Sequence, residues 1–470
     1  MSDSRMLPMC GEGITKNMSH QLIIIGNGFD IECGLNSRFY QFFEPRMHVI
    51  ETIDDLEDPG SVNALCELSI TAWDVVIYVR RQLVNKGEGI NWCDVEAVIS
   101  DVIGMEGKAS EDHGPDVPSL PGNERVTVAS LMSFFEFLDA YHWIDKPREY
   151  YRSFNERLDD AEHDEIAKMK EELIELMYGD GSLGNGRERG KRWKHAVTWG
   201  FEDCDPYNFL EFMEGQLPNE GSEMVGQYLR FAYPENERWS PSLIRSALEE
   251  ELHVLENEFK DYLSGQVEGN EKYRERADEL LCEILRYDTS KDGGNLATIL
   301  NFNYTTPSIP CLVSFDRAPR LVNVHGSLDE EIIFGADGTY CMGDSGAARF
   351  SKTYRLLSLD RLGLQGSVAF PPGHRISDIE TRALKFYGHS LSRADYAYFL
   401  SVFDIVDLYS GNVVLYFFYR PYSPTARRDL LLNISKLLDA YGVSMDNRDH
   451  GKNLMHRLLL EDRLVVHELE

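Results

Sequence analysis

The first clear hydrophobic pattern is an unbroken apolar run at residues 22–25, which leads directly into the segment GNGFD at 26–30. A run that is apolar at every position predicts a buried strand of a parallel sheet, since both faces of such a strand are covered. Glycines after the strand let the backbone approach a phosphate or ribose, and a helix opening there adds free N–H groups. One interpretation is a nucleotide-type ligand. The other is an ordinary strand-to-helix turn, because Ile31 stands where a Gly-x-Gly-x-x-Gly motif has its third glycine.

Strand patterns return after residue 296 as short apolar runs, each followed by a polar or glycine-containing turn. These runs occupy residues 297–304, 320–328, 330–337, 383–391 and 412–420. Helical patterns follow the last two runs, at 393–406 and 425–442, and residues 453–470 fit either a helix or an edge strand. Strands that alternate with helices predict an α/β fold with a doubly wound, mainly parallel sheet, and the first strand must belong to it.

Between these two regions the apolar residues recur at helical spacing with charged faces between them. The clearest such segments are 64–84, 129–144, 149–178 and 246–265, with Gly/Pro-rich breaks at 105–125 and 179–192. The pattern therefore predicts a large helical insertion after the first strand. The expected organisation is a flexible amino-terminal extension at 1–18, an α/β nucleotide-binding domain from 19–44 and 296–470, and a helical insertion or lid at 45–295.

The amino-acid composition limits the kinds of partner that we expect this protein to bind. Seventy-nine acidic residues against 47 basic ones give a formal net charge of −32, which opposes binding to nucleic acid or to anionic lipid. We see no secretory leader and no apolar stretch of membrane-spanning length, so we expect a cytoplasmic protein without a membrane partner. Eight scattered cysteines form no Cys-x-x-Cys pair, which predicts reduced thiols and no zinc site.

Polar residues interrupt the predicted strands where each strand ends. In parallel sheets these ends share one edge, so we expect the side chains to face one crevice. The set is Gly26, Asn27, Gly28, Asp30, Asn301, Asn303, Tyr304, Thr305, His325, Gly326, Ser327, Gly335, Asp337, Gly388, His389, Ser390 and Asp395. Structural roles stay open for several: Asn301 as a turn residue, Asp30 at a helix start, and Asn303 or His325 as satisfied buried groups.

One further cluster, Trp92, Asp94 and Glu96, lies inside the predicted insertion. Two acids just before an apolar stretch are typical of a helix start, where the helix dipole favours negative charge. The alternative is that Trp92 and one of the acids fold over the nucleotide crevice.

Several motifs occur together in a fixed order along the chain: IIIGNGFDIECGLNSRFYQFF, NWCDVE, LNFNYT, VHGSL, IIFGAD and FYGHSLSRADYAYF. In that order they resemble the AbiH-like bacteriophage abortive-infection family. The resemblance covers the first strand, the Trp-Asp-Glu element and most of 297–405. It implies antiphage defence in a bacterial cytoplasm, where the infected cell stops growing or dies before phage matures.

The same motifs are more distantly similar to the NAD-binding core of sirtuin-type proteins. The corresponding positions are Gly26-Asn27-Gly28, Asn303-Tyr304-Thr305, His325-Gly326 and Gly388-His389-Ser390-Leu391. Sirtuin-like defence proteins that destroy NAD use the Asn and His of these elements. Two positions depart from the sirtuin pattern: Asp30 replaces a small hydroxyl residue, and Thr305 replaces an aspartate. A zinc ribbon is also missing, which argues against a protein deacetylase.

The resemblance implies hydrolysis of the nicotinamide–ribose bond of NAD⁺, with NAD as substrate or ligand and no metal. Asn303 is then expected to hold water and a ribose hydroxyl, His325 to accept a proton, and Asp30 to stabilise positive charge on the sugar. Gly26 and Gly28 are expected to receive the pyrophosphate. The full set of expected ligand-binding residues is Gly26, Asn27, Gly28, Phe29, Asn301, Tyr304, Gly326, Gly388, His389 and Ser390.

Two other functions remain possible at this point. One is a metal-dependent nucleotide- or RNA-directed nuclease toxin that uses Asp30, Asp94, Glu96 and Asp337. The other is a nucleotide sensor without catalysis. Sirtuin-like defence proteins also imply a homo-oligomer, and a phage-derived trigger is expected whose nature the sequence does not indicate.

Overall fold

The computed structural model describes residues 18–53, 56, 58–84, 94–103, 125–141, 219–236, 238–287, 296–309, 318–336, 345–358, 379–392, 395–445 and 448–469. The chain forms two compact units. The sheet unit comprises Met1–His48, Cys93–Ile99 and Leu252–Glu470, and the helical unit comprises Val49–Trp92 and Ser100–Glu251.

Six parallel strands form the sheet of the first unit. They are β1 Met18–Ile25, β2 Leu296–Asn301, β3 Arg320–Asn323, β4 Ile379–Tyr387, β5 Val414–Tyr419 and β6 Leu464–Glu468. Their order is β3-β2-β1-β4-β5-β6, and every neighbouring pair is parallel. The α/β doubly wound prediction is confirmed. The direction of winding reverses between β1 and β4, and the carboxyl ends at such a switch point are where open α/β sheets bind ligands.

The described helices, in chain order, carry the numbers α1 to α14. They are α1 Asn27–Glu32, α2 Phe39–Glu51, α3 Pro59–Glu67, α4 Ala72–Val84, α5 Val95–Ile103, α6 Val128–Tyr141, α7 Glu220–Ala232, α8 Pro241–Val267, α9 Glu271–Arg286, α10 Ser345–Ala348, α11 Lys352–Ser358, α12 Tyr396–Ile405, α13 Ala426–Ser444 and α14 Arg448–Leu460.

The unbroken apolar run of β1 is buried because helices cover both faces of the sheet. Leu22 and Ile24 point to one face, into a core shared with residues of α12, α13 and α14. Ile23 and Ile25 point to the other face, against Leu280 and neighbouring residues of α9. Alternation along a strand therefore divides four consecutive apolar residues between two separate cores.

Segments 93–99 and 252–295 were expected in the helical insertion, but the first and the described part of the second belong to the sheet unit. The apolar face of α9 explains the difference for the second segment, since it packs on the face of the sheet that carries Ile23 and Ile299. Lys385 of β4 adds hydrogen bonds between the sheet and the end of α9. Its buried ammonium donates to the carbonyl oxygens of Ile284 at 2.9 Å, Leu285 at 3.3 Å and Tyr287 at 2.6 Å.

The run at 330–337 does not form the predicted strand. Its described residues make only isolated bridges, Gly326 with Ile332 and Ala336 with Ser351. The chain reverses in a turn between Gly326 and Ile332, where the Glu330 N–H donates to Ser327 O at 3.0 Å, and Gly326 itself has a φ of 101°. The segment therefore folds back in an antiparallel bridge and does not add a strand to the sheet. Residues 453–470 contain both predicted alternatives, the end of α14 followed by the edge strand β6.

Helices also dominate the described part of the helical unit. The predicted helix at 64–84 is divided into α3 and α4 by a turn in which Ser69 has a φ of 54°. Asp74 stabilises the start of α4 by accepting from the Thr71 backbone N–H at 2.8 Å. The predicted helix at 149–178, the break at 179–192 and residues 1–17 of the extension expected at 1–18 lie outside the described residues, and Met18 is the first residue of β1.

A search of the described residues for membrane spans finds no single helix of sufficient length and apolarity. One pair of consecutive helices, Pro59–Glu67 and Ala72–Leu83, has the length and composition of a membrane span when taken together, but the two helices meet at a bend of 106°.

Candidate functional site

Parallel register aligns the ends of the four strands that carry the site. Ile25 of β1 pairs with Asn301 of β2 on one side and with Tyr387 of β4 on the other. Asn301 in turn pairs with Asn323 of β3. The loops after β1, β2, β3 and β4 therefore leave the sheet at the same edge, as expected.

The two glycines after β1 let their loop pack closely against the loop after β4. The Gly26 N–H donates to Tyr387 O at 3.1 Å, and the Gly28 N–H donates to Gly388 O at 2.7 Å. A Cβ at Gly26 would lie 2.7 Å from the His389 Cα, and a Cβ at Gly28 would lie 2.7 Å from the Gly388 Cα. These amides are already hydrogen-bonded, so the structure offers a packing reason for the glycines and no pyrophosphate site on their N–H groups.

Asn27 and Phe29 stabilise the same loop. The Asn27 side chain donates to Ser37 O at 3.0 Å and accepts from the Ser37 hydroxyl at 2.5 Å. Phe29 is fully buried, with its ring edge-on to Tyr387 at 6.3 Å between centroids. Both side chains, expected to bind ligand, are occupied by contacts within the protein.

Asp30 lies in a buried hydrogen-bond network. Its carboxylate accepts from the Tyr273 hydroxyl of α9 at 2.9 Å and from the Thr305 hydroxyl at 2.7 Å. Burial raises the pKa of Asp30 to about 6, although the two hydroxyl donors oppose the shift. Asp30 thus ties α1 and α9 to the loop after β2, a positioning role, where the sequence predicted a catalytic one.

Two side-chain amides fix the backbone of the loop after β2. Asn301 accepts from the Asn303 backbone N–H at 3.0 Å and donates to Thr305 O at 2.6 Å. Asn323 donates to Asn303 O at 3.1 Å and to Thr305 O at 3.0 Å. This network holds the Asn303 peptide from both sides while leaving its side chain unengaged.

The Asn303 side chain is the outstanding feature of the site. The residue is only 4% exposed, and neither its Oδ1 nor its Nδ2 has a hydrogen-bond partner among the described residues. A buried amide without partners costs free energy, and such groups are rare in folded proteins. The backbone of Asn303 is held in place by these contacts, and its side-chain amide has no partner. The amide is therefore preorganised to hydrogen-bond a ligand.

His325, after β3, is equally buried, at 4% exposure. Its Nε2 makes no hydrogen bond within the described part of the chain and lies 3.5 Å from Asp395 Oδ1. Burial and the nearby Lys352 ammonium lower the pKa of His325 to about 3, against the opposing effect of Asp395. The imidazole is therefore neutral at neutral pH, whereas the sequence led us to expect a base titrating near pH 7.

His389, after β4, has a defined tautomer. Its Nδ1 accepts from the Leu391 backbone N–H at 2.9 Å, so the proton is on Nε2. Nε2 lies 3.2 Å from Asp395 Oδ2 and directs that proton toward the carboxylate. The Phe302 ring separates the two histidines, edge-on to both, at 5.3 Å from His325 and 4.9 Å from His389.

A buried lysine completes the charged part of the site. Lys352, 2% exposed at the start of α11, contacts Asp395 Oδ1 at 2.8 Å and Glu96 Oε1 at 2.5 Å. Burial alone would lower the pKa of Lys352, but the two carboxylates raise it above its ordinary value. Likewise, burial would raise the pKa of Asp395, and Lys352 with the two histidines holds it well below its usual range.

The remaining predicted residues take peripheral positions. Tyr304 donates its hydroxyl to Ile333 O at 3.1 Å, and Gly326, with a φ of 101°, pairs with Ile332 in an isolated bridge. Ser390 is exposed, and its carbonyl accepts from Asn433 at 3.1 Å. Asp94 accepts from the Ala97 backbone N–H at 3.1 Å, which matches the helix-start interpretation. Trp92 and Asp337 lie outside the described residues.

The structure thus brings together His325, His389 and Asp395 from the predicted set and adds Lys352 and Glu96. Asn303 lies on the loop after the neighbouring strand β2. Lys352 carried no motif, and its position follows from folding of the segment after residue 345 onto the strand ends. Glu96 was noticed as part of the Trp-Asp-Glu element and as one carboxylate of the nuclease alternative, and its contact with Lys352 was not predicted. Among the residues that the structure describes, no group of three or more His, Cys, Asp or Glu could hold a metal ion.

Comparisons with protein-family models, with curated proteins and with solved structures found no match to this chain.

Proposed function

We propose that this protein hydrolyses the nicotinamide–ribose bond of NAD⁺ at the carboxyl ends of β1 to β4, as an effector of antiphage defence in the bacterial cytoplasm. The observation that carries the proposal is the buried Asn303 amide, whose two polar atoms have no partner in the described structure. An amide of this kind can donate to a ribose hydroxyl and accept from a water at the same time.

The charges around His325 favour a substrate that develops positive charge on its sugar. Asp395 is ionised, His325 is neutral, and Lys352 offsets one of the two carboxylates it contacts. With Glu96 ionised, the cluster carries one net negative charge in a buried setting. Such a charge stabilises the oxocarbenium-like ribose of glycosidic cleavage more strongly than it would in water.

The residues proposed to act on the substrate differ from those that a glycine motif suggests. Asn303 and His325 would bind the ribose and the attacking water, and His389 would hold Asp395 in place. Gly26 and Gly28 support this arrangement by packing, and the pyrophosphate is not assigned to their amides. The antiphage role comes from the AbiH-like resemblance of the motifs.

The test is nicotinamide release from NAD⁺ by the purified protein, with and without EDTA. We expect release that EDTA does not change, reduced about 100-fold or more in Asn303→Ala and in His325→Ala. Asn36→Ala, which removes an exposed amide, is the matched control and should keep full activity. EDTA-sensitive cleavage of another nucleotide or of RNA, with NAD⁺ left intact, would favour the nuclease-type chemistry. Binding of NAD⁺ without turnover, also in lysate of phage-infected cells, would favour the sensor.

A further inference from the structure

The Asp395 carboxylate contacts both histidines of the site, one through each of its oxygen atoms. Its Oδ2 lies 3.2 Å from His389 Nε2, and its Oδ1 lies 3.5 Å from His325 Nε2. Lys352 Nζ donates to the same Oδ1 at 2.8 Å, so the carboxylate is held at both oxygens, and the residue is only 7% exposed. Asp395 therefore places a fixed negative charge beside the His325 imidazole.

The ring of His325 is also held in place. The Phe302 ring lies edge-on to it at 5.3 Å between centroids, and the Tyr398 ring packs against it at 5.4 Å. The backbone is fixed as well, because the His325 carbonyl accepts from the Ile333 N–H at 3.0 Å. With ring and carboxylate both held, the fold itself determines that Nε2 is the ring nitrogen that faces Asp395.

This contact favours a proton on Nε2 of His325. Burial and the Lys352 ammonium keep the imidazole neutral, so one ring nitrogen carries the proton and the other carries a lone pair. A lone pair on Nε2 would be repelled by the carboxylate, whereas an N–H is attracted to it, and burial enlarges the difference. A lone pair there would also accept from Lys352, yet Nε2 makes no hydrogen bond within the described structure.

The distance of 3.5 Å is longer than a hydrogen bond between an N–H and a carboxylate. The attraction at this distance is electrostatic and is sufficient to favour one tautomer. Hydrogen bonds between catalytic groups often shorten to normal length only when substrate binds.

We propose that Asp395 is a positioning residue that fixes His325 in the tautomer with its proton on Nε2. The lone pair is then on Nδ1, which makes Nδ1 the atom that accepts a hydrogen bond from the ribose hydroxyl or the water. The identity of that donor rests on the proposed function, whereas the tautomer does not. A carboxylate beside the imidazole holds the tautomer in the same way in Ser-His-Asp hydrolases.

His389 provides a comparison within the same site. Its Nδ1 accepts from the Leu391 backbone N–H at 2.9 Å, so its proton stays on Nε2 with or without a carboxylate beside it. The tautomer of His325, by contrast, is assigned here to Asp395. Removal of the carboxylate should therefore affect the two histidines differently.

The first arm of the test measures both tautomers and needs no substrate. Protein labelled with ¹⁵N-histidine is studied at neutral pH by ¹H–¹⁵N correlation NMR, which distinguishes protonated from unprotonated ring nitrogens. The two residues are assigned by the loss of their signals in His325→Gln and in His389→Gln. We expect a proton on Nε2 of both in wild type. A wild-type His325 with its proton on Nδ1, or with both tautomers equally populated, would overturn the proposal.

The second arm removes the carboxylate. In Asp395→Ala the Lys352 ammonium is free to donate to His325 Nε2, so the His325 proton should move to Nδ1 while His389 keeps its proton on Nε2. Asp439→Ala, at an exposed position of α13, should leave both tautomers unchanged. An unchanged His325 tautomer in Asp395→Ala would overturn the role of Asp395. 

An isosteric variant keeps the second arm decisive if the alanine variant does not fold. Asp395→Asn retains the size of the side chain and removes its charge. Because a neutral amide oxygen attracts the His325 N–H less strongly, a measurable fraction of His325 should have its proton on Nδ1. Complete retention of the Nε2 proton in this variant would show that the charge of Asp395 does not select the tautomer.

The third arm connects the tautomer to activity. Asp395→Ala should lower kcat for nicotinamide release about 100-fold or more, because His325 then presents an N–H where the substrate needs an acceptor. Asp439→Ala should keep full activity. A wild-type kcat in Asp395→Ala, with the His325 tautomer changed, would overturn the assignment of Nδ1 as the acceptor. If wild type releases no nicotinamide at all, the proposed function fails, and the NMR spectra still decide whether Asp395 fixes the His325 tautomer.

Discussion

At the scale of single residues, the site depends on groups that fold the loops as much as on groups that face a ligand. Asp30, Asn301, Asn323 and Thr305 are polar and buried or half-buried, and their hydrogen bonds are satisfied within the network around the Asn303 peptide. Asn303 and His325 are also buried, but the side-chain amide of Asn303 and the Nε2 of His325 make no hydrogen bond with the described residues. This contrast between occupied and unoccupied polar atoms distinguishes positioning residues from candidate ligand-binding ones.

The glycine at position 26 provides the first residue-scale prediction. Gly26→Ala places a methyl group 2.7 Å from the His389 Cα, so the loops after β1 and β4 must separate. We expect a loss of about 2 kcal/mol or more in the free energy of unfolding, measured by urea denaturation. The control is Gly265→Ala in α8, where a Cβ meets no atom within 4 Å and should stabilise the helix by up to about 1 kcal/mol. Equal effects of the two substitutions would contradict the packing role.

Asp30 provides a prediction about pH. Its pKa is about 6 in the folded protein, against an ordinary value of 3.8, so between these values the folded state holds a proton that the unfolded state has lost. The contribution of Asp30 to stability therefore falls as pH rises from about 4 to about 6, by on the order of 3 kcal/mol, and stays low above that range.

Asp30→Asn should remove this dependence. We expect denaturation curves of wild type and Asp30→Asn at pH 4 and pH 7 to differ in their pH dependence by roughly that amount. Asp439→Asn, at an exposed position of α13, serves as the control. Parallel behaviour of Asp30→Asn and wild type over this range would show that Asp30 is ionised normally in the folded protein.

At the scale of elements, α9 is joined to the sheet by both apolar and polar contacts. Lys385→Met would keep most of the side-chain volume but leave the carbonyl oxygens of Ile284, Leu285 and Tyr287 without their ammonium donor. We expect a loss of about 2–4 kcal/mol in the free energy of unfolding, against little change for Lys452→Met at an exposed position of α14. A small effect at Lys385 would mean that the apolar face of α9 alone secures the helix.

Elements were also where the sequence was most informative. The apolar runs that became β1, β2, β4 and β5 were recognisable because a parallel strand buried on both faces is predominantly apolar, although Thr298 of β2 and Lys385 of β4 are buried polar exceptions. The run at 330–337 also has an apolar centre, yet a turn between Gly326 and Ile332 folds it back against Gly326. Local pattern cannot show such a turn, because the conformation is selected by contacts with Glu331 and Ile332 that form only on folding.

The site shows the same limit. Asn303 and His325 were predicted because each follows a strand, and the shared edge of a parallel sheet brings strand ends together. Lys352 and Glu96 lie far from one another in sequence and follow no strand, so their contact was not predictable from spacing. The low pKa of His325 could not be predicted from the sequence either. It results from burial and from the Lys352 ammonium, and the motif around His325 indicates neither.

At the scale of the whole molecule, the net charge of −32 and the candidate site point to different properties. The acidic excess opposes long nucleic-acid partners, while the site holds its charges in a buried cluster that Lys352 partly neutralises. A small nucleotide held by hydrogen bonds at the strand ends is compatible with both. We expect salt to change its affinity only weakly, since buried pairs are screened less than exposed ones.

Whether the open Asn303 amide binds a nucleotide is best decided by calorimetric titration of NAD⁺ into wild type, Asn303→Ala and the exposed control Asn36→Ala. Initial rates of nicotinamide release are recorded alongside, so that turnover is accounted for. Loss of hydrogen bonds to a buried amide should weaken binding by about 10- to 100-fold in Asn303→Ala, with Asn36→Ala equal to wild type. The same dissociation constant in all three proteins, or no binding to wild type, would contradict the assignment of this amide to a nucleotide ligand.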